Sequence, residues 1–266
     1  MVTKAIHLEA VSDMTTNSFL AGFRRFISRR GGCTDIYSDC GTNFVGASKE
    51  LQVLLHRNKK SLPDDLVNSL TSIGTEWHFI PPGSPNFGGL WEAGVKSVKY
   101  HLKRIMHERV LSFEELATLL CQIESVLNSR PLCPLSSDPS DLDALTPAHF
   151  IIGEPTTCIQ EENLLDININ RLNRWKSIEK LKQHFWRRWY LEYLNRLQAR
   201  PKWLTPKPDA KVGDLVLIAD DRCGPAQWIL DSTEEISTLK YKTTPSDRRM
   251  EPSSNAVSRS IAQSTD

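Results

Sequence analysis

Nowhere in these 266 residues do two cysteines stand in a C-x-x-C spacing. The six that occur (Cys33, Cys40, Cys121, Cys133, Cys158, Cys223) are scattered, which excludes a zinc knuckle and a dense disulfide framework and leaves reduced thiols in an intracellular protein as the simplest reading. Long hydrophobic runs are also lacking: none approaches the roughly 20 apolar residues that a bilayer span needs. Lys4, His7 and Glu9 interrupt the first ten residues, so the core of a secretory signal is excluded as well. What remains is a soluble globular chain, 39% hydrophobic and 24% charged, long enough for one large domain or two ordinary ones.

Bases are absent over a whole stretch. From Ser136 to Asn170 there are seven acids and neither Lys nor Arg, so the net charge of +1 hides a strong segregation. Arg171 to Lys207 reverses the sign, with eleven bases against Glu179 and Glu192. Such a stripe could follow a phosphate backbone. A solvated helix face that balances its acidic neighbour would look the same.

Hydrophobic spacing divides the chain further. Lys4 to Ala10 has the length and character of a strand. Phe19, Leu20, Phe23, Phe26 and Ile27 recur at three and four over Thr15 to Arg30, a helix that Gly31 and Gly32 end. Thr34 to Ser38 reads as a short buried strand, Phe44 to Arg57 as a helix and Glu76 to Ile80 as another strand, giving the order β-α-β-α-β. The Pro- and Gly-rich segment 81–89 predicts a mobile loop. Helices follow over Leu90 to Met106 and over Ser112 to Asn128, where Ser112 and Glu115 fit a capping box. Beyond the acidic connector, Leu172 to Gln198 is one long helical pattern with Trp175, Ile178, Leu181, Phe185 and Trp189 as core or partner contacts. Gly213 to Ala219 reads as a strand and Gln227 to Leu230 as the beginning of another, the start of a small β-barrel. Residues 231–266 lack periodicity and predict disorder.

Two carboxylates stand out by their setting: Asp39 at the end of a buried strand and Glu92 in the first turn of a helix behind the loop. Two-metal phosphoryl transfer needs acids on rigid elements that hold two Mg²⁺ ions roughly 4 Å apart around the attacking and leaving oxygens. The plainer alternative is that Asp39 caps a turn before Gly41 and Glu92 complements a helix dipole. Glu92, Lys96, Lys99 and Lys103 fall in one narrow sector at 100° per residue, beside a stripe of Val95, Val98, Leu102 and Ile105. That rail suits a DNA backbone entering a metal site, the lysines placing phosphates and the acid holding the ion. Glu92 and Lys96 are also an ordinary i, i+4 pair.

Here the residues become recognisable. Tyr37-Ser38-Asp39-Cys40-Gly41-Thr42-Asn43-Phe44 resembles the second-acid motif of retroviral and retrotransposon integrases. Pro85-Asn86-Phe87-Gly88-Gly89-Leu90-Trp91-Glu92 resembles their flexible loop and final glutamate, in the right order. Thr3-Lys4-Ala5-Ile6-His7-Leu8-Glu9, Asn128-Ser129-Arg130-Pro131-Leu132 and Thr146-Pro147-Ala148-His149-Phe150 narrow the resemblance to BEL/Pao elements. It covers roughly residues 2–153 and implies an RNase H-like core whose D, D, E triad binds Mg²⁺ or Mn²⁺. Asp39 and Glu92 match the second and third members as catalytic and metal-binding residues. Asn86 lies in the loop that such integrases place near DNA and is carried over as a DNA contact. Arg171 to about Leu230 is similar to the family's C-terminal region, a similarity that points to no defined activity. The resemblance further implies retroelement ends and target DNA as partners, a homo-oligomer for the complete integrase, no membrane, and a nuclear or cytoplasmic location.

The sequence departs from the family in ways that shape the expectation. The first catalytic Asp belongs to a strand upstream of Thr3, and in a sheet ordered 3-2-1-4-5 Lys4 to Ala10 matches strand three, so the two strands that should join it to the strand ending at Asp39 are absent. A family zinc-binding module is missing too, and Cys40 stands where integrases usually have Asn. The expected architecture is therefore α/β: a truncated RNase H-like integrase core lacking its first two strands (1–153), an acidic connector (154–170), a basic helix with a small incomplete β-barrel (171–230) and a disordered tail (231–266). The expected function is that of an integrase-derived protein of DNA integration with weak or absent ion binding and no strand transfer by this fragment. A nonenzymatic nucleic-acid-binding remnant is the alternative, and a decayed product without activity is a third.

Overall fold

A computed structural model describes residues 3–60, 75–81, 89–106, 109–138, 140–198, 214–220 and 222–232. Its described part is mixed α/β, mostly helical, with three two-stranded sheets. Two compact units are formed, one from Leu8–Tyr100 with Leu111–Leu120 and the other from Met1–His7, His101–Val110 and Cys121–Asp266. Among the described residues no helix is long and apolar enough to cross a membrane. All six cysteines are free thiols.

In the first unit helix α1 (Thr16–Arg30) begins where Thr15 Oγ1 accepts from the Ser18 amide. It ends at Gly31, whose φ of 86° favours a residue without Cβ. Strand β1 (Asp35–Ser38) follows, then α2 (Thr42–Lys60) and β2 (Glu76–Phe79). The two strands pair in parallel, Asp35 opposite Glu76 and Ser38 opposite Phe79. Alternation puts Asp35, Tyr37, Glu76 and His78 on one face and Ile36, Ser38, Trp77 and Phe79 on the other. On that second face Trp77 lies 5.7 Å from the Phe19 ring and donates its indole N–H to Ser38 Oγ at 2.9 Å. Helices α1 and α2 pack closely because position 46 is glycine: a Cβ there would meet Thr16 Oγ1 at 2.4 Å.

Helix α3 (Gly89–Met106) contributes Gly89–Tyr100 to this unit and its last turns to the other. Val98 and Ile105 of its apolar stripe are buried and Leu102 half-buried, but Val95 is exposed, against the expectation. The predicted capping box of α4 (Phe113–Asn128) is formed in both directions, the Glu115 amide donating to Ser112 Oγ at 3.3 Å and the Ser112 amide to Glu115 Oε2 at 2.6 Å.

The strand expected over Lys4 to Ala10 is not there. Lys4 sits at φ 48°, a left-handed conformation that breaks an extended run, and the segment joins no sheet. Its backbone is satisfied by side chains instead. Asn128 accepts from the Ile6 amide at 2.9 Å and donates to the Ile6 carbonyl at 2.7 Å, so one primary amide does the work of a neighbouring strand. Buried Arg130 donates to the Thr3 and Lys4 carbonyls at 3.1 and 2.6 Å. The β-α-β-α-β order expected from the sequence thus loses its first strand.

The other unit is built on α6 (Arg174–Gln198), after the short ribbon of β3 (Cys133–Pro134) with β4 (Ala144–Leu145) and the single turn α5 (His149–Ile152). Ile178, Leu181, Phe185 and Trp189 of the predicted stripe are buried, whereas Trp175 is half in solvent at 50% exposure, its turn lying beyond the buried face. Strands β5 (Leu215–Ile218) and β6 (Ile229–Ser232) form an antiparallel ribbon. That ribbon is what the described residues show in place of a barrel. Trp228, just before β6, sits among Trp186, Trp189, Tyr190 and Tyr193 with ring centroids 5.0 to 6.0 Å away, and donates to Ser129 Oγ at 2.9 Å. The predicted disordered tail must begin later than residue 231, because Asp231 and Ser232 belong to β6 and Asp231 is buried; residues 233–266 lie outside the described part.

Candidate functional site

Asp39 follows the last residue of β1 and is exposed. Its Oδ1 accepts from the Gly41 amide at 2.9 Å, which is the turn-capping role the sequence left open. Cys40 makes a bond of its own: the thiol donates to the Ile80 carbonyl at 3.4 Å, tying the end of β1 to the residue after β2. Glu92 lies in the first turn of α3 and is exposed, as are Lys96, Lys99 and Lys103. Among the described residues none of these four is in an ion pair, so the ordinary Glu92 to Lys96 pairing is not made. Asn86 lies outside the described residues.

A three-ligand cluster does occur, at residues the sequence reading passed over. Asp35, Glu76 and His78 project from one sheet face by register, with ligand atoms within 4.8 Å of one another. His78 Nε2 is 2.9 Å from Asp35 Oδ1, and Thr34 Oγ1 donates to Asp35 Oδ2 at 2.7 Å. The Thr34 bond first, and then His78, hold the Asp35 carboxyl below its usual range. Parallel pairing of Asp35 with Glu76 and of Tyr37 with His78 is the signal that would have found this cluster, and it cannot be read locally. Both acids are exposed and Asp35 is already bonded to Thr34 and His78, which describes a hydrogen-bonded surface group. No such three-residue group among the described residues includes Asp39 or Glu92.

The basic stripe is partly spent inside its own unit. Lys176 pairs with Glu162, and buried Lys182 pairs with Glu179 and, at 3.5 Å, with Glu161. Lys180 gives its ammonium to the Leu165 carbonyl at 2.9 Å and to that of Ile167. Gln183 bonds both sides of the connector backbone, accepting from the Leu164 amide and donating to the Glu162 carbonyl, each at 2.8 Å. Acidic connector and basic helix therefore neutralise each other over the first turns of α6, as the balancing alternative had it.

Residues 173–260 match a family of unknown function, DUF5641. The match begins two residues into the C-terminal region that the sequence set apart at Arg171, and it lies outside residues 2–153, where the integrase-like motifs stand. No curated protein matches the chain.

Two carboxyls, Glu179 within the DUF5641-matching region and Glu161 beside it, are shifted in opposite directions. Desolvation, then a hydrogen bond shared with Glu179, pushes the Glu161 carboxyl up to about 7, with Lys182 opposing. Glu179 moves the other way: desolvation would raise it, but hydrogen bonds with Glu161, Lys182 and Gln122 together lower it. The hydrogen bond between Glu161 and Glu179 links the two carboxyls.

Proposed function

We propose that this chain is an integrase-derived protein of the retrotransposon type, with an RNase H-like ancestry for its N-terminal part, and that it binds DNA through α3. The observation that carries the reading is the rail of Glu92, Lys96 and Lys99: all exposed, one sector wide, and without ion-pair partners among the described residues. Lysines left unneutralised at 3- and 4-residue spacing are available to phosphates, and each phosphate they neutralise releases counterions. Two further features support it. The parallel pairing of β1 with β2 is the neighbour relation that strands four and five have in a 3-2-1-4-5 sheet, and Asp39 stands at the carboxyl end of that pair.

The acids fit a hard cation in kind. Mg²⁺ is held by one or two carboxylates and keeps several waters, and Asp39 and Glu92 are both exposed carboxylates, Asp39 with one oxygen already committed to Gly41. A bound Mg²⁺ would polarise a phosphodiester oxygen. With no third ligand joining either acid among the described residues, strand transfer is not expected of this chain.

Fluorescence anisotropy with a labelled DNA duplex tests the reading. Binding should weaken steeply with salt, and Lys96→Gln with Lys99→Gln should flatten the log–log slope by about two. Undetectable binding at low ionic strength, or a slope unchanged in the double variant, refutes it. Mg²⁺-dependent joining of duplex ends, lost in Glu92→Gln, would refute the absence of strand transfer and place the chain among active polynucleotidyl transferases.

A further inference from the structure

The last turn of α3 and one face of α6, both in the second unit, line a cavity of about 520 Å³ that the DNA reading does not use. Arg104, Arg109, Lys180, His184, Arg187 and Arg188 line it, and no carboxylate among the described residues does. Five of those six side chains are cationic at neutral pH. Among the described residues Arg109, Arg187 and Arg188 are in no ion pair, although Glu162, Glu179 and Glu192 each neutralise other bases of α6 nearby. Lys180 donates to the Leu165 and Ile167 carbonyls. Burial holds His101 below its ordinary range, with Glu192 opposing and the charges of Arg188 and Arg104 adding to the lowering.

Arg109, Arg187 and Arg188, in no ion pair among the described residues, repel one another across this concavity, and an anion entering it relieves that repulsion. The floor is of a different kind: Ile105, Leu181 and Leu191 present apolar surface. The volume is that of a small-molecule site and the forked guanidiniums suit phosphate oxygens two at a time. A duplex is too wide to enter a cavity of about 520 Å³, whereas a compact guest fits. We propose that the cavity binds a nucleoside polyphosphate, its phosphates against Arg104, Arg187 and Arg188 and its base and sugar on the apolar floor. Recognition here runs through side chains rather than a glycine-rich backbone cradle, and it is independent of the integrase ancestry and of DNA binding through α3.

Titration calorimetry of the full chain decides it, with ATP, with inorganic tripolyphosphate as the phosphate-only probe, and with a DNA duplex. The expected result is saturable one-to-one binding of ATP, tighter than tripolyphosphate, and weakened at least tenfold by Arg187→Gln with Arg188→Gln. Both side chains are exposed, so circular dichroism should show an intact fold; should it not, Arg104→Gln alone replaces the pair and must weaken ATP at least threefold. Absence of saturable ATP binding, binding unaltered in the variant, or tripolyphosphate binding as tightly as ATP each overturns the proposal. Duplex binding that these arginine substitutions weaken, without any ATP binding, would assign the corner to nucleic acid and overturn it too.

Discussion

Replacing Asn128 with alanine removes both hydrogen bonds that hold Ile6. The Ile6 amide and carbonyl are partly buried, and their only partners in that ladder are the Asn128 oxygen and nitrogen at 2.9 and 2.7 Å. A net hydrogen bond contributes about 1 kcal/mol, so losing two costs about 2 kcal/mol locally. The cost falls on detachment of the N-terminal segment rather than on global unfolding, because Arg130 and the buried residues Leu119, Ile123 and Val126 remain to hold α4. At about 1.4 kcal/mol per factor of ten, exchange of the Ile6 amide should accelerate roughly 30-fold. Native-state hydrogen exchange read at Ile6, with Ile123 as internal reference, measures this. An Ile6 amide that exchanges within threefold of wild type would refute the idea that a side-chain amide stands in for the absent strand. Equal acceleration at Ile123 would mean that the segment does not detach as a local unit.

Two further outcomes are expected. Glu161 has its folded pKa raised to about 7 from 4.5, so its contribution is complete below about pH 4.5 and is lost as pH rises through 7; its side chain is 32% exposed, which screens the effect to about 1 kcal/mol. Leu164 amide protection, corrected for intrinsic exchange, should therefore fall between pH 5.5 and 8 in the wild type and stay flat in Glu161→Gln; the same fall in both would count against proton sharing. Gly46→Ala should lower stability by about 1 to 3 kcal/mol, since its Cβ meets Thr16 Oγ1, and adding Thr16→Ser, which keeps that oxygen, should recover less than adding Thr16→Ala; denaturant midpoints compare the three.

Helices were the legible part of this chain. Spacings of three and four placed α1, α3, α4 and α6 to within a few residues, and the Ser112 to Glu115 pattern announced its own reciprocal bonds, because each of these signals is local. Strand identity was not local in the same sense. Lys4 to Ala10 and Asp35 to Ser38 are both short apolar runs, yet one pairs with β2 and the other with an amide 122 residues away, and no pattern within seven residues distinguishes those outcomes. For the candidate site, the settings of Asp39 and Glu92 were readable from what flanks them, and the exposure of the lysine rail followed from helical geometry. The trio of Asp35, Glu76 and His78 and the acceptor of the Cys40 thiol both depend on which strand lies beside β1. Charge segregation was visible, but only the fold says which bases are spent: Lys176 and Lys182 pair with acids and Lys180, at the cavity's edge, is held by connector carbonyls, whereas Arg187 and Arg188 line the cavity and are in no ion pair among the described residues.

The mutual neutralisation of residues 161–167 with the first turns of α6 sets a rule for anyone recombining this chain with a relative. Transplanting the helix without its preceding segment would bury Lys182 beside a lone acid and strip Lys180 of the carbonyls that solvate it. The smallest interchangeable cassette is therefore the pair together, and chimeric junctions belong upstream of Glu161.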